Sequence, residues 1–169
     1  MKTLVYLFAI LILSGCVTTD LVPKGYEGPT AMIRDSAVAN TDSQVDFFYV
    51  NRIGGRKISE SRGTTRNVNY GRGFVMDPVV VDRRVLAEPT EFEIVGRTEY
   101  AAPILAFSKK VYEVKGTVRF TPVNGKVYIV TGTLSEDYSA VWIEDAETHE
   151  IVGEKIEIQG SAALGFFQK

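Results

Sequence analysis

Residues 144–150, EDAETHE, place the only histidine of the chain, His149, among carboxylates. Asp145 and His149 have the side chains of metal ligands, and neighbouring glutamates are close enough in sequence to complete a set. A metal site, however, needs three or four ligands held in a defined geometry. A turn between two strands, in which Asp145 bonds its own backbone, accounts for the same residues more simply. We therefore predict no metal here, with Asp145 and His149 as the weak candidates.

Nucleophilic catalysis has fewer candidates still. The sequence contains no G-x-S-x-G elbow, and its one cysteine lies at residue 16, in a segment with another role. His149 is the only histidine available as a base. We predict that the protein is not an enzyme, and the alternative is a metal-dependent or hydrolytic enzyme around Asp145 and His149.

Arginine and glycine are concentrated in residues 51–73, NRIGGRKISESRGTTRNVNYGRG. Guanidinium groups suit phosphate and carboxylate, and glycine permits the close approach of a backbone. The candidate ligand-binding residues are Arg52, Arg56, Arg62, Arg66 and Arg72. The alternative is a solvated loop whose charges keep the protein soluble and block edge-to-edge pairing of strands.

The single cysteine, Cys16, follows a segment with the features of an export signal. Lys2 precedes a fully apolar run at residues 4–13, which is followed by the small residues Ser14 and Gly15. A charged start, a short apolar core and a small-residue cleavage site are typical of a secretory signal peptide. The apolar run is too short for a permanent anchor, because a spanning helix needs about 20 apolar residues.

The stretch Leu13-Ser14-Gly15-Cys16 resembles the lipobox of bacterial lipoproteins. The resemblance implies that the signal peptide is removed and that Cys16 is lipidated, with a diacylglycerol on sulfur and an acyl chain such as palmitate on nitrogen. Several acyl chains give durable anchoring, where one chain gives only marginal binding. Val17, rather than an aspartate, follows the cysteine, which by the same resemblance implies the outer membrane, with the domain facing the periplasm.

Charge and composition limit the partners. The formal net charge is −2 at pH 7, which argues against nucleic acid and against wholesale binding to a membrane surface. Positive charge is concentrated in residues 51–73 and negative charge in residues 134–158, so one end of the domain is expected to be basic and another acidic. For an exported protein the compatible partners are an anionic glycan, lipid headgroups or an acidic envelope protein. No cofactor is predicted.

A period of two dominates the remaining sequence. In residues 111–120, VYEVKGTVRF, apolar side chains share one face and polar ones the other, which is the pattern of a half-buried strand. Residues 90–94, TEFEI, repeat it. Trp142 alternates with Ala140 and is predicted to anchor the core. Further strand candidates are residues 79–86, 138–144 and 150–158.

Two pairs of turn residues predict hairpins. Asn124-Gly125 favours a type I′ turn, which would pair residues 111–120 with KVYIVTGT and put Phe120 opposite Ile129. Gly54-Gly55 predicts a hairpin that joins VDFFYVNRI to RKIS. Regular strand-and-turn spacing without a convincing amphipathic helix predicts an all-β fold, a single antiparallel β-sandwich or partly open barrel.

The expected organisation is a signal peptide at 1–15, a lipidated N-terminus and tether at 16–30, and a β-rich periplasmic domain at 31–169. Residues 161–167, SAALGFF, fit either a short helix or a last strand. One of the paired arginines at 83 and 84 must face the apolar side or a partner such as Glu88 or Glu91.

Three stretches together resemble small proteobacterial lipoproteins of unknown function: GPTAMIRDS (28–36), FFYVNRIGGRKI (47–58) and VWIEDAETHEIV (141–152). The resemblance implies a β-rich periplasmic domain on a lipid anchor and supplies no catalytic residues. We expect a lipid-anchored periplasmic envelope protein that is a non-enzymatic binding or assembly module. The alternative is a binder of anionic glycan or lipid headgroups through residues 51–73.

Overall fold

The computed structural model of the protein describes residues 21–169. The predicted signal peptide, Cys16 and the first part of the predicted tether lie outside the described residues. In chain order the strands are β1 (Thr30–Arg34), β2 (Ser36–Thr41), β3 (Gln44–Ile53), β4 (Arg56–Lys57), β5 (Asp82–Leu86), β6 (Thr90–Tyr100), β7 (Glu113–Phe120), β8 (Val127–Leu134), β9 (Tyr138–Asp145) and β10 (Ile151–Gln159). The helices are α1 (Ser61–Val68), α2 (Pro103–Ser108) and a 3₁₀ turn at Phe166–Gln168.

Two sheets pack face to face and confirm the predicted all-β sandwich. Sheet A has the order β10-β9-β8-β1-β5, and sheet B has the order β2-β3-β6-β7 with β4 beside β3. Within residues 21–169 neither sheet closes on itself as a barrel. Strand β1 pairs with β8 in parallel, so the sandwich is not wholly antiparallel.

Alternation selects the core between the sheets. Val114 and Val118 of β7 and Phe92 and Ile94 of β6 are fully buried, as the period of two predicts. Sheet A covers them with side chains of β1, β8 and β9. Leu21 packs against the same core, so the chain is already fixed to the sandwich within the segment predicted as a tether.

The prediction that Trp142 anchors the core is wrong. Val141 and Ile143 face the core, and Trp142 points outward, where its indole N–H donates to Glu144 at 2.8 Å. The ammonium nitrogen of Lys155 lies 4.8 Å from the indole ring centroid. Both faces of this part of β9 carry apolar side chains, so alternation could not distinguish the inward face.

The Gly54-Gly55 hairpin is confirmed, whereas the Asn124-Gly125 hairpin is wrong. Gly54 and Gly55 have φ of 54° and 77° and join β3 to β4. Strand β7 pairs with β6 in sheet B, but β8 belongs to sheet A, so the chain crosses between sheets at residues 121–126. Asn124 does not share the positive φ of Gly125. Its side-chain oxygen instead accepts from the backbone N–H of Thr30 at 3.0 Å and holds the start of β1.

The outer face of sheet B is covered by the chain that follows β4. Met76 packs there on Val45, Phe47, Tyr49 and Val95 as a second apolar cluster. Helix α1 lies in this covering segment, so the expectation of a loop over the whole of residues 51–73 is wrong. The helix is polar, with Ser61 and Thr65 as its buried residues, so it is not an amphipathic helix with an apolar face.

A buried carboxylate, Asp35, fixes α1 to the sandwich. It accepts from the guanidinium of Arg83 at 2.6 and 2.8 Å, and from the backbone N–H of Val50 at 3.1 Å. The backbone N–H and hydroxyl of Ser61 donate to it at 3.0 and 2.9 Å. Asp35 is also the single residue between β1 of sheet A and β2 of sheet B. The buried arginine of the predicted pair is therefore Arg83, and its partner is Asp35 instead of Glu88 or Glu91.

The C-terminal segment combines both alternatives left open for residues 161–167. Ala163 forms an isolated bridge with Tyr112, and the 3₁₀ turn follows at Phe166–Gln168. Among residues 21–169, no helix has both the length and the apolar character needed to cross a bilayer.

Candidate anion-binding cleft

Arginines from α1 and β6 meet on the outer face of sheet B. Arg97 and Glu99 alternate with inward residues of β6 and follow the buried Val95 on the same face. Arg62 and Arg66 are one turn apart on α1, so both side chains point toward this strand. An Nη of Arg62 lies 2.8 Å from one carboxylate oxygen of Glu99, and an Nη of Arg66 lies 3.8 Å from the other.

The position of α1 is set by polar bonds at its N-terminus. The carboxylate of Glu60 caps the helix by accepting from the backbone N–H of Gly63 at 2.9 Å. Ser61 is tied to Asp35, and the hydroxyl of Thr65 accepts from the backbone N–H of Val79 at 2.8 Å. Because these groups are buried and paired, the guanidinium groups of α1 project from a fixed base.

Arg62, Arg66 and Arg97 line a cleft of about 630 Å³, named here the arginine cleft. Its volume lies within the ~300–1,000 Å³ of small-molecule sites. The residues that follow α1 form one wall and α2 forms another. Apolar and aromatic side chains complete the lining: Tyr70, Met76, Tyr100, Ala102, Phe107 and Val111.

Positive charge exceeds negative charge on the cleft lining. Besides the three arginines, Lys169 lines the cleft, and Glu99 is the one carboxylate among its described lining residues. Arg97 is paired with Glu113, its cross-strand neighbour on β7. The remaining positive charge favours an anion in this cleft.

Two guanidinium donors of the cleft have no acceptor in the described part of the chain. The Nε atoms of Arg62 and Arg97 are buried, and neither finds an acceptor among residues 21–169. A buried donor without an acceptor costs about 1–3 kcal/mol. Because these Nε atoms are closed to solvent, an oxygen ligand recovers that cost only when the guanidinium groups shift toward it.

Arg62 of the cleft and the buried Tyr49 beside it have raised pKa values. Burial by itself lowers the pKa of Arg62, but Tyr49 and the carboxylates of Glu99 and Glu60 outweigh it, and the pKa is raised overall. Burial raises the pKa of Tyr49 to about 12, so its hydroxyl stays protonated. Arg62 therefore remains a cation at neutral pH.

The five arginines predicted from residues 51–73 do not form one site. Arg62 and Arg66 line the cleft, and Arg72 pairs with Asp77 at 2.7 Å in the segment that borders it. Arg52 lies 3.6 Å from Glu93, and Arg56 lies beyond it in the β3–β4 hairpin.

Sequence reasoning missed Arg97. The signal that could have found it is the alternation of Val95, Arg97 and Glu99 along β6, which puts two charges on a face that begins apolar.

The acidic segment 144–150 is a turn between β9 and β10. Asp145 accepts from the backbone N–H groups of Glu147 and Thr148 at 2.9 and 3.2 Å, and from the ammonium of Lys126 at 2.5 Å. The bond to Lys126, followed by the backbone bonds, lowers the pKa of Asp145 to about 2. His149 has a φ of 59°, and its Nδ1 lies 3.0 Å from a Glu144 oxygen. In the described part of the chain no three histidine, cysteine or acidic side chains are grouped to hold a metal ion.

The chain matches no protein-family model, no curated protein and no solved structure. The candidate site therefore rests on the geometry and charge of its own residues.

Proposed function

We propose that the protein is a lipid-anchored periplasmic envelope protein whose domain binds an anionic glycan in the arginine cleft. One observation carries the proposal: Arg62, Arg66 and Arg97 converge on one cleft, with two buried Nε donors that have no acceptor among the described residues. Guanidinium groups bind carboxylate and phosphate through charge-assisted hydrogen bonds, which are about twice as strong as neutral ones.

The cleft walls support a glycan over a simple inorganic anion. Tyr70, Tyr100 and Phe107 line the cleft together with the arginines. Ligand sites commonly combine such apolar walls with a few placed polar groups. A sugar ring that carries a carboxylate or phosphate has both kinds of surface.

The lining also supports binding over catalysis. Neither histidine nor cysteine is present among the described lining residues, so they supply no nucleophile–base pair of the common kind. The arginines remain charged throughout the physiological pH range, which suits a binding site better than proton transfer.

Calorimetry with the purified full chain in detergent tests the cleft. Muropeptides with free carboxylates and a phosphorylated core oligosaccharide are the anionic probes, and a neutral oligosaccharide of equal size is the control. We expect at least one anionic probe to bind, with affinity that falls as salt is raised. The double variant Arg62→Gln/Arg97→Gln should bind it at least tenfold more weakly.

Arg119→Gln is the matched control, since Arg119 is an exposed arginine on β7 that pairs with Glu91. It should leave affinity unchanged. Equal binding by the double variant and the control, or no binding of any anionic probe, would contradict the proposed cleft.

The anchor is tested separately with labelled fatty acid. We expect the unaltered chain to incorporate label in cells that process lipoproteins, and Cys16→Ser to incorporate none. Label that persists in the variant would contradict anchoring at Cys16.

A further inference from the structure

The lysines and arginines outside ion pairs are segregated in the fold. Most lysine and arginine side chains in residues 21–169 form an ion pair, with a side-chain nitrogen within 4.0 Å of a carboxylate oxygen. The exceptions in this part of the chain are Lys24, Arg56, Lys57, Arg84, Lys109 and Lys169. All but the last two line one groove.

This N-terminal groove has a volume of about 1070 Å³ and lies between residues 21–26, the β3–β4 hairpin and β5. No carboxylate is among its described lining residues. Asp82 and Glu91, on the adjoining strands, are each paired with another arginine, Arg34 and Arg119. The cations of the groove are exposed and their charge is not neutralised within the described chain.

Aromatic and apolar side chains lie beside these cations. Tyr26 and Leu21 line the groove together with Val22 and Ile58. Tyrosine with lysine or arginine next to apolar side chains is the composition found at membrane–water interfaces.

The length of the chain limits how far the groove can be from a lipid on Cys16. Leu21 both lines the groove and packs against the core, so its position is fixed. An extended chain covers at most ~3.6 Å per residue, so Cys16 lies no farther than about 18 Å from Leu21. A bilayer that holds the acyl chains of Cys16 is therefore close to the groove.

The arginine cleft begins at Arg62, three residues after Ser59 of the groove, and extends along sheet B to its other end. Strand β3 has 10 residues at about 3.3 Å each, so its two ends are about 30 Å apart. Gln44 at one end pairs with Tyr100 of the cleft, and the other end leads into the hairpin that carries Arg56.

We propose that the N-terminal groove is a membrane-docking surface that binds the phosphate headgroups of anionic phospholipids in the bilayer that holds Cys16. The inference rests on the proposed anchor, and it adds an orientation to it. Lys24, Arg56, Lys57 and Arg84 contact the headgroup layer, and the arginine cleft faces away from the bilayer.

Depth-dependent fluorescence quenching tests this orientation in the lipidated full-length product reconstituted into vesicles. Acylation occupies the sulfur of Cys16, so a fluorophore can be placed on Ser59→Cys in the groove or on Tyr70→Cys in the cleft. With a lipid-borne quencher and vesicles containing phosphatidylglycerol, we expect at least threefold stronger quenching at residue 59 than at residue 70. The difference should shrink in vesicles of phosphatidylcholine alone and in 0.5 M salt.

Matched charge variants complete the test. Neutralising Lys24, Arg56, Lys57 and Arg84 to glutamine should shrink the difference as phosphatidylcholine vesicles do, and the same change at Lys109, Lys115, Arg119 and Lys155 should preserve it. Equal quenching at both positions, or a difference that neither salt nor lipid charge changes, would overturn the inference. Fatty-acid label is measured on the same preparation: no label refutes the anchor, whereas label with equal quenching refutes the docking surface alone.

Discussion

Two arginine–carboxylate clusters adjoin α1 and differ in one respect. At the start of the helix, Arg83 and Asp35 are buried, and backbone and hydroxyl donors of Val50 and Ser61 complete the carboxylate shell. On the helix face toward β6, Arg62 and Arg66 share Glu99 and are partly open to solvent, and the Nε of Arg62 has no acceptor among residues 21–169. An arginine–carboxylate pair has a structural role where all of its hydrogen-bonding groups have partners within the protein. It is available to a ligand where some of those groups have none.

Arg83→Met should have the largest effect on stability. It leaves the carboxylate of Asp35 buried without its counter-ion, a loss of about 3–5 kcal/mol. Chemical denaturation measures the free energy of unfolding, and Arg84→Met on the exposed side of β5 is the control. The double variant Asp35→Asn/Arg83→Met should recover part of the loss. If Arg83→Met were as stable as Arg84→Met, the Arg83–Asp35 pair would not have the structural role assigned to it.

Ser61→Ala should destabilise the domain by about 2 kcal/mol. The hydroxyl donates to the buried carboxylate of Asp35 and accepts from the part-buried backbone N–H of Val81 at 2.8 Å, and alanine removes both bonds. Hydrogen exchange should show faster opening of α1 than of β6. Exchange that speeds up equally in both elements would show that α1 is not the element held by this bond.

Glu99→Gln should cost about 1.5 kcal/mol of stability, because a charge-assisted bond to Arg62 is lost at a site only partly closed to water. The same variant should bind the anionic probe more tightly, since Arg62 and Arg66 then lack their internal anion. Calorimetry and denaturation on one preparation measure both. Weaker binding by this variant would mean that Glu99 positions the arginines for the ligand.

Acid titration extends the comparison to Lys126 and Asp145, a pair with one exposed and one buried partner. The pKa of Asp145 is lowered to about 2, so its contribution to stability is complete above its unfolded pKa near 4. It is lost as the pH falls toward 2. Asp145→Asn should flatten the dependence of unfolding free energy on pH in this window, and an unchanged slope would contradict the role of Lys126.

Arg119→Gln should have the smallest effect, within about 0.5 kcal/mol, because its pair with Glu91 is exposed on both sides. Thermal denaturation at low and high salt measures it. A decrease of more than about 1 kcal/mol in the free energy of unfolding would mean that solvent exposure does not distinguish weak ion pairs from strong ones.

Sequence patterns predicted the sandwich because half-buried strands such as β7 alternate between apolar and polar side chains. The alternation in β6 and β7 and the Gly54-Gly55 turn are local features, and all of them are confirmed. The Asn124-Gly125 pair carries the same local signal. The side-chain oxygen of Asn124 instead accepts a hydrogen bond from the backbone N–H of Thr30, which is distant in sequence. A local sequence pattern cannot predict that contact.

Helix α1 and half of the cleft were beyond prediction for a related reason. The buried residues of α1 are Ser61 and Thr65, so the helix has no apolar stripe for a periodicity argument to detect. The arginine-rich composition of residues 51–73 indicated Arg62 and Arg66 as candidate ligand-binding residues. Arg97 joins them only through the packing of α1 on sheet B. The partner of Arg83 was missed for the same reason, because Asp35 lies 48 positions earlier in the sequence and the glutamates near Arg83 are not its partners.

The place of Asp35 at the corner between β1 and β2 has a consequence for the folding reaction. Its partners lie 15, 26 and 48 positions away in sequence, so the carboxylate is satisfied only after both sheets and α1 have assembled. Until then it remains hydrated and opposes closure of the corner. The two sheets should therefore fold and unfold in a single cooperative transition, at the slow rate typical of domains built from distant contacts.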